Sequence, residues 1–543
     1  MRRSLTWTLT ALVAVGVFLF LLAPPAAERV DTAGWNDLAA RTVAGAYHVH
    51  TTRSDGHGNK EAVAKAAARA GLTFVILTDH GDATRPPDHP EYIDGVLMLD
   101  GVEISTDEGH YVAIDMPRAP YPLGGAAGAV VEDVRRLGGF GIAAHPDSPK
   151  PSLRWTDTGA PIDGIEWINA DSEWRDETRG QLVRAGMSYF FRPGAALARL
   201  LDRPATLDRW DTLLRTRQVV GLGGADAHGG VGQRAEDQNR TLFSTAGIPS
   251  YDASFREMSI RLLLDRPRSG NAGLDARAIY GAIRKGSVFT AIDALASPAL
   301  LDFHAVPSGA TVSLFARATL PRGASIVLLG PGGEVARSNT ELRHEVDAAT
   351  PGAYRVEVRI PGAPGVPPVP WLVSNAIHVG QVGTPSPADG GGLVQAGAAI
   401  APFPWRIEKD PASSAILRTG PTSATLEYTL AGGPRNSQFV AVATDLNRQV
   451  FGAINLNLGA DQPTRVGVQV RSADGRRWGK SFYVDPAGTA IHAALADLRP
   501  VGQGTASPPS ADGLTSLLLV IDLTNAAPGR SAVLTVLSSE LVK

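Results

Sequence analysis

Residues 47–56 read YHVHTTRSDG. His48 and His50 stand two apart in a run, residues 45–50, that reads as a strand, so both imidazoles are expected to project from one face and converge on one ion. Five residues beyond His50, Ser54-Asp55-Gly56 supplies a carboxylate in a glycine turn. The same logic repeats outward. Strand-like runs at residues 73–77, 96–103, 111–115, 141–145, 164–169 and 219–223 alternate with helical stretches. In residues 60–70, Ala62, Val63, Ala66, Ala67 and Ala70 keep helical spacing and Gly71 is placed to end the helix. Residues 128–137 follow suit, with Val130, Val131, Val134 and Leu137 apolar before Gly138. Seven such strands between residues 42 and 290 predict an α/β fold built as a βα barrel rather than a small open sheet.

Imidazoles and carboxylates recur at the ends of these strands. Asp79 and His80 follow the second, Glu103 ends the third, His110 precedes the fourth, His145 ends the fifth, and Asp226 and His228 follow the seventh. In a βα barrel the C-terminal strand ends share one rim, so residues remote in sequence meet there. His110 joins them only if the chain turns back at that rim within the seven residues after Glu103. A single strand-end His or Asp is ordinarily a hydrogen-bonded structural residue, but the whole set on one rim points to a metal centre. His89, in a polar loop, and His304, His344, His378 and His492, scattered through the later segments, keep the ordinary reading.

Through YHVHTTRSDG, GLTFVILTDH, GVEIS, GHYVAID, GGFGIAAHP, IDGIEWIN and GGADAHG the chain resembles the PHP (polymerase and histidinol phosphatase) family of metal-dependent phosphoesterases. The resemblance spans about residues 46–228 and implies a distorted seven-stranded βα barrel with two or three divalent ions, Mn, Fe or Zn. It implies that His48, His50, Glu103 and Asp226 hold one ion and that Glu103, His110 and His145 hold a second, with Glu103 bridging. Asp55, His80 and His228 would hold a third, and His57 stands as the alternative to Asp55. A metal-bound water held by Glu103 and Asp226 would then be the nucleophile. Asp79 is expected either to orient a ligand imidazole from behind or to cap the turn that follows it.

Phosphate oxygens left free by metal call for a guanidinium, and Arg53, Arg85, Arg154, Arg175 and Arg234 fall on expected rim loops. Trp155, Trp167 and Trp174 lie near the same rim as pocket walls or core residues.

Composition narrows the rest. The 543 residues contain no cysteine, which excludes disulfides, thiolate metal sites and cysteine nucleophiles. A net charge of −3 supplies no basic field for nucleic acid, so no specific nucleic-acid partner is expected. Arg2 and Arg3 precede an uncharged apolar run at residues 4–22, followed by Ala and Pro, so residues 1–27 read as a signal peptide or an N-terminal membrane anchor. The chain is therefore expected outside the cytoplasm: periplasmic, secreted or membrane-anchored facing outward. Residues 35–296 form the expected barrel domain. Two β-sandwich domains follow at 297–380, an Ig-like unit, and at 403–543, a galactose-binding-like jelly roll. A linker rich in Gly, Pro and Ala, residues 381–402, separates them.

The function expected from these features is hydrolysis of a phosphorylated small molecule or phosphodiester, with a glycan as a further partner through the last domain. Two alternatives stand beside it: an amidohydrolase-type metal hydrolase, whose barrels also begin with HxH, and a non-catalytic glycan-binding surface protein. The cluster of Asp55, His80 and His228 separates the first of these from a phosphoesterase, because a mono- or dinuclear amidohydrolase does not need it.

Overall fold

The computed structural model describes residues 7, 13, 16, 17, 24–230, 248–380, 398, 399, 404–420, 423–434, 437–446, 449–502 and 508–542. The expected export segment, the 381–402 linker and Arg234 thus lie almost wholly outside the described residues. Among the described residues no helix is long and apolar enough to cross a membrane. The chain divides into two compact units: Met1–Gly81, Pro87–Pro117 and Val134–Pro385 form one, and Asp82–Pro86, Arg118–Asp133 and Ser386–Lys543 the other.

The first unit is mixed α/β around a parallel-rich sheet. Strands β1 (Thr42–Val49), β2 (Phe74–Leu77), β3 (Val96–Thr106), β4 (Gly109–Ile114), β5 (Phe140–Ala143), β6 (Gly164–Asn169) and β7 (Val220–Gly224) are hydrogen-bonded in that order. After β7 the chain returns to β1: the amides of Ala225 and Ala227 donate to the carbonyls of Tyr47 (2.9 Å) and His48 (3.2 Å). In β2 alternate side chains serve different layers. Phe74 and Ile76 join a cluster with Tyr47, Leu97, Leu99, Val112 and Ile142. Val75 and Leu77 pack instead with Val63, Ala66 and Ala67 of helix α1 (Lys60–Arg69). A strand covered on both faces must be apolar throughout, which is why β2 reads FVIL without polar alternation. Each such Leu, Ile or Phe removed from water contributes about 1.5–3 kcal/mol. Helix α1 starts where Asn59 accepts the Ala62 amide at 3.0 Å, a side-chain cap worth about 1 kcal/mol.

Two features depart from simple βα repetition. Strands β3 and β4 pair antiparallel, with Glu103 opposite Val112 and Ser105 opposite His110, so the chain doubles back at residues 107 and 108. The second departure is in β1. By strict alternation His48 would follow Ala44 and Ala46 onto the face beneath α1, while Tyr47 faces the other cluster. Instead the register slips between Tyr47 and Val49, and His48 adopts φ 64°. That bulge resets the phase, so Val49 still packs on the α1 side and His48 turns inward with His50. The two imidazoles converge, but through a left-handed residue and not through the regular strand expected from their spacing.

The sheet does not end at residue 297. Strand β8 (Ser259–Leu263) pairs with β1 and with β9 (Val288–Ala291), and Leu372–Ser374 pairs antiparallel with β9. Gly352–Arg359 and Ser325–Gly330 continue from there. The strands of the expected Ig-like segment therefore extend the hydrogen-bonded sheet of the first unit, and only Leu301–Ser308, Thr311–Ala318 and Glu341–Asp347 make a separate three-stranded sheet. Sequence marks this boundary by a change of pattern, but pairing across it depends on strand edges that pattern does not record.

The second unit holds two six-stranded antiparallel sheets among its described residues. Val466, Val468 and Val470 of Thr464–Ser472, with Leu517 and Leu519 of Leu514–Asp522, meet Leu426, Ile454, Leu456 and Leu534 from the facing sheet in one core. This two-period burial is that of a β-sandwich.

Candidate metal centre

The strand ends and adjoining loops of the first unit bring nine buried or half-buried ionisable side chains together, with Glu103 at their middle. One of its oxygens, Oε2, lies 3.3 Å from His48 Nε2, 3.3 Å from His50 Nε2 and 3.2 Å from His80 Nδ1. The other, Oε1, lies 2.7 Å from His110 Nδ1 and 3.1 Å from His145 Nε2. Asp226 closes the ring from β7: Oδ1 is 3.3 Å from His50 Nε2 and Oδ2 is 3.3 Å from His145 Nε2. On the more open side, Asp55 Oδ2 stands 3.5 Å from His228 Nε2 and 3.6 Å from His80 Nε2.

Four sets have donor atoms within 4.8 Å of one another: His48, His50 and Asp226; His48, Glu103 and His145; His50, Asp55 and His228; His50, His80 and Glu103. They overlap the expected ligand groups without reproducing their partition. His50 faces Asp55 and His228 as well as Asp226, and His110 lies beside Glu103 but in none of the four sets. His57, the alternative to Asp55, is exposed, and its Nδ1 lies 3.3 Å from the backbone carbonyl of His228.

The donor atoms themselves test whether cations fit here. His48 Nε2, His50 Nε2, His80 Nδ1 and Glu103 Oε2 are buried and make no hydrogen bond. Leaving a buried polar atom unpaired costs about 1–3 kcal/mol, and here four such atoms face one another. Divalent cations bound among them would satisfy these atoms, and imidazole with carboxylate is the donor set of Zn²⁺, Mn²⁺ or Fe²⁺. The residues present fit the ions that the resemblance implies.

Electrostatics keep the carboxylates ready. Burial alone would raise the Glu103 pKa, but the imidazoles of His80, His48, His110 and His145 override it and hold the group well below the usual carboxylate range. Asp226 is depressed in the same way, against its own burial, chiefly by His48 and His145. Burial and the neighbouring His228 push His50 down.

Backbone geometry belongs to the site too. His48 (φ 64°), His145 (φ 43°) and Asp226 (φ 43°) are three of the six non-glycine residues with positive φ among the described residues. Such conformations cost on the order of 1–3 kcal/mol each and persist only where the surroundings impose them.

Asp79 does not back an imidazole. Its carboxylate accepts the Thr51 amide (2.7 Å), the Thr51 hydroxyl (2.8 Å) and the Ser54 hydroxyl (2.7 Å), which fixes the loop carrying Asp55. The carboxylate behind an imidazole is Glu166, whose Oε1 lies 2.5 Å from His48 Nδ1. Sequence reasoning passed over Glu166, although a charged residue inside the buried run GIEWIN was the available signal.

The four expected phosphate-binding arginines that lie among the described residues are engaged by the protein. Arg53 pairs with Asp88 and Asp100, Arg175 forks onto Asp171, Arg154 donates to the Ser148 and Pro149 carbonyls, and Arg85 to that of Pro86. Trp167 is a core residue whose Nε1 donates to Thr290 (2.9 Å), and Trp155 stacks on Tyr111. Trp174 alone of the three lines the pocket that adjoins Asp226 and His228, together with Ala170, Leu197, Leu200 and Glu257.

No family model matches the chain. An uncharacterized protein of Methanocaldococcus jannaschii is 30% identical over 113 residues, which cover 20% of this chain and 64% of that protein. The chain thus spans less than two thirds of the length of the curated relative it matches. Among solved structures, a two-domain protein of Bacteroides vulgatus containing a predicted PHP-like metal-dependent phosphoesterase is 13% identical. It aligns over 65% of this chain and 98% of its own, with a TM-score of 0.29. The family 11 carbohydrate-binding module of a Clostridium thermocellum cellulase is 14% identical over 27% of this chain and 94% of its own, with a TM-score of 0.22. The side chains, not these likenesses, carry the chemistry: a buried cluster of His, Glu and Asp whose inward atoms fit divalent cations.

Proposed function

We propose that the chain is a metal-dependent phosphoesterase of the PHP type, acting outside the cytoplasm on a phosphate monoester or diester. In this reading β1 to β7 form the family's distorted seven-stranded barrel, with the cluster at its rim. The observation that carries the proposal is Glu103, a buried carboxylate ringed by five imidazoles whose nitrogens lie within 3.3 Å of one or other of its oxygens.

His48, His50, Glu103 and Asp226 would hold one ion, Glu103, His110 and His145 a second, and Asp55, His80 and His228 a third. Ions so held would polarise a phosphoryl oxygen and lower the pKa of water toward neutrality. Glu103 and Asp226, kept ionised by their neighbours, supply the negative charge that concentrates cations at the rim. Asp79 holds the loop of residues 51–54 and thereby the reach of Asp55. The pocket walled by Trp174, Leu197 and Leu200 beside Asp226 and His228 would take the organic part of the ester. For the second unit we propose a jelly roll that binds glycan, with no catalytic part.

The set of His50, Asp55 and His228 favours a phosphoesterase over an amidohydrolase, since it stands beside the two sets around Glu103 and the set of His48, His50 and Asp226, more than a mono- or dinuclear centre needs. The test is the full chain loaded in turn with Mn²⁺, Zn²⁺ and Fe²⁺ and offered p-nitrophenyl phosphate, bis-p-nitrophenyl phosphate and an amide substrate. Metal-dependent release from either phosphate supports the reading. Turnover of the amide alone, or binding of no divalent ion, would overturn it.

A further inference from the structure

We propose that Glu166 is the positioning residue of the metal centre: it fixes the orientation and tautomer of His48 from behind and holds the backbone of His145 in the shape that presents its imidazole. The inference rests on the metal-centre reading above and extends it to a residue outside the ligand set.

Glu166 lies in β6 and is fully buried. Each of its oxygens has a defined task. Oε1 sits 2.5 Å from His48 Nδ1, so a proton on Nδ1 is shared with the carboxylate and Nε2, aimed at Glu103 and Asp226, keeps its lone pair free. Oε2 accepts the backbone N–H of His145 at 2.9 Å and the Asn169 side-chain amide at 2.8 Å. The first of these bonds falls on a residue with φ 43°, so the carboxylate helps to impose a conformation that the backbone would otherwise leave. One side chain thus governs two proposed ligands that are 97 positions apart in sequence, His48 and His145.

The carboxylate is closely packed against β7. An added Cβ at Gly224, at the end of β7, would stand 2.7 Å from Glu166 Cδ. Only glycine lets β7 pass this close, and Asp226 follows two residues later. No lysine or arginine pairs with Glu166 among the described residues; its ion-pair partner is His48, and the buried Tyr47 phenol lies close enough to feel its charge. A carboxylate, an imidazole and a cation in line give the imidazole more electron density to donate, the arrangement known to raise affinity in carboxylate–histidine–metal triads.

Glutamine in place of Glu166 keeps the volume but offers an N–H₂ to one of the two positions where only an acceptor fits. If the amide donates to His48 Nδ1, the imidazole proton moves to Nε2 and the lone pair there is lost. Glu166→Asp retains the charge at shorter reach. The experiment titrates the metal-free full chain, wild type and both variants, with Zn²⁺ alone and with Mn²⁺ alone against a chromophoric chelator. Folding and apo-protein Tm are followed in parallel by circular dichroism. The expected result for Glu166→Gln is a loss of affinity on the order of 10- to 100-fold for the most tightly held equivalent. Glu166→Asp should recover part of that loss, and hydrolysis by Glu166→Gln should be regained at raised Mn²⁺. A folded Glu166→Gln chain that binds every equivalent with wild-type affinity would overturn the inference while leaving the metal centre intact. A lowered apo Tm with unchanged affinity would do the same, because it would mark a purely structural residue. Should Glu166→Gln fail to fold, wild-type affinity in Glu166→Asp with its Asp carboxylate withdrawn from His48 would overturn it equally. Absence of binding by the wild type would instead remove the metal-centre reading itself.

Discussion

His110 Nδ1 faces Glu103 Oε1 at 2.7 Å across the antiparallel hairpin of β3 and β4, two residues that a plain βα repeat would have set at opposite ends of their strands. Because the same carboxylate also reaches His48, His50, His80 and His145, Glu103 is the point at which all the proposed sites touch.

Glu103→Gln removes the charge while keeping nearly the same volume. Phosphoesterase activity should fall on the order of a thousandfold or more, several kcal/mol of transition-state stabilisation, with the fold retained. His89→Ala, at an exposed loop position away from the cluster, should change little. Near-normal activity and metal content in Glu103→Gln, measured beside circular dichroism, would end the ligand assignment.

Removing metal should cost stability as well as activity. A ligand held at a hundredfold excess over its Kd stabilises the folded chain by about 2.7 kcal/mol. Chelation is therefore expected to lower the Tm of the first unit, and readdition of Mn²⁺ or Zn²⁺ to restore it. Calorimetry that shows the same transition with and without chelator would count against bound ions.

Stability should also depend on pH through Glu173. Burial pushes its pKa up to about 8, against the hydrogen bond it accepts from the Asp202 amide at 2.9 Å, and nearby Asp176 and Asp202 add to the rise. The folded chain then keeps a proton that the unfolded chain releases above the ordinary value of 4.5. The contribution is full below that pH and is lost as pH rises through about 8. Glu173→Gln, neutral throughout, should match the wild type near pH 5 and exceed its Tm by a few degrees near pH 9, both ~ values set by the two ends of that window. Parallel Tm profiles from calorimetry would contradict this.

Export is tested apart from the fold. Residues 1–31 fused to a reporter should carry it across the membrane, and the size of the product distinguishes cleavage from retention as an anchor. A reporter that stays in the cytoplasm would remove the extracytoplasmic part of the proposal.

Much of the candidate centre was legible because its ionisable side chains sit where strands end, and strand ends can be read from apolar runs. His80, Glu103, His145, Asp226 and His228 all fall at such places, and the chain brings them together. What could not be read was backbone phase. Alternation alone sends His48 beneath α1; the bulge after Tyr47 is a local event with no glycine to announce it. Glu166 was hidden for a different reason. A carboxylate in a buried strand is conspicuous only once its partner is known, and His48 lies 118 residues away. The joining of Leu372–Ser374 to β9 was equally invisible, since pairing of edge strands depends on where the chain travels between them.

Gly224 and Glu166 also bear on how this chain can change over generations. The carboxylate occupies the volume that any side chain at position 224 would need, with Cδ only 2.7 Å from an added Cβ. A larger residue at 224 displaces the carboxylate from its place unless the glutamate has been shortened, and a shortened glutamate opens space beside position 224. The two positions are therefore epistatic: each single step passes through a poorer protein, and a lineage that crosses does so by paired substitution.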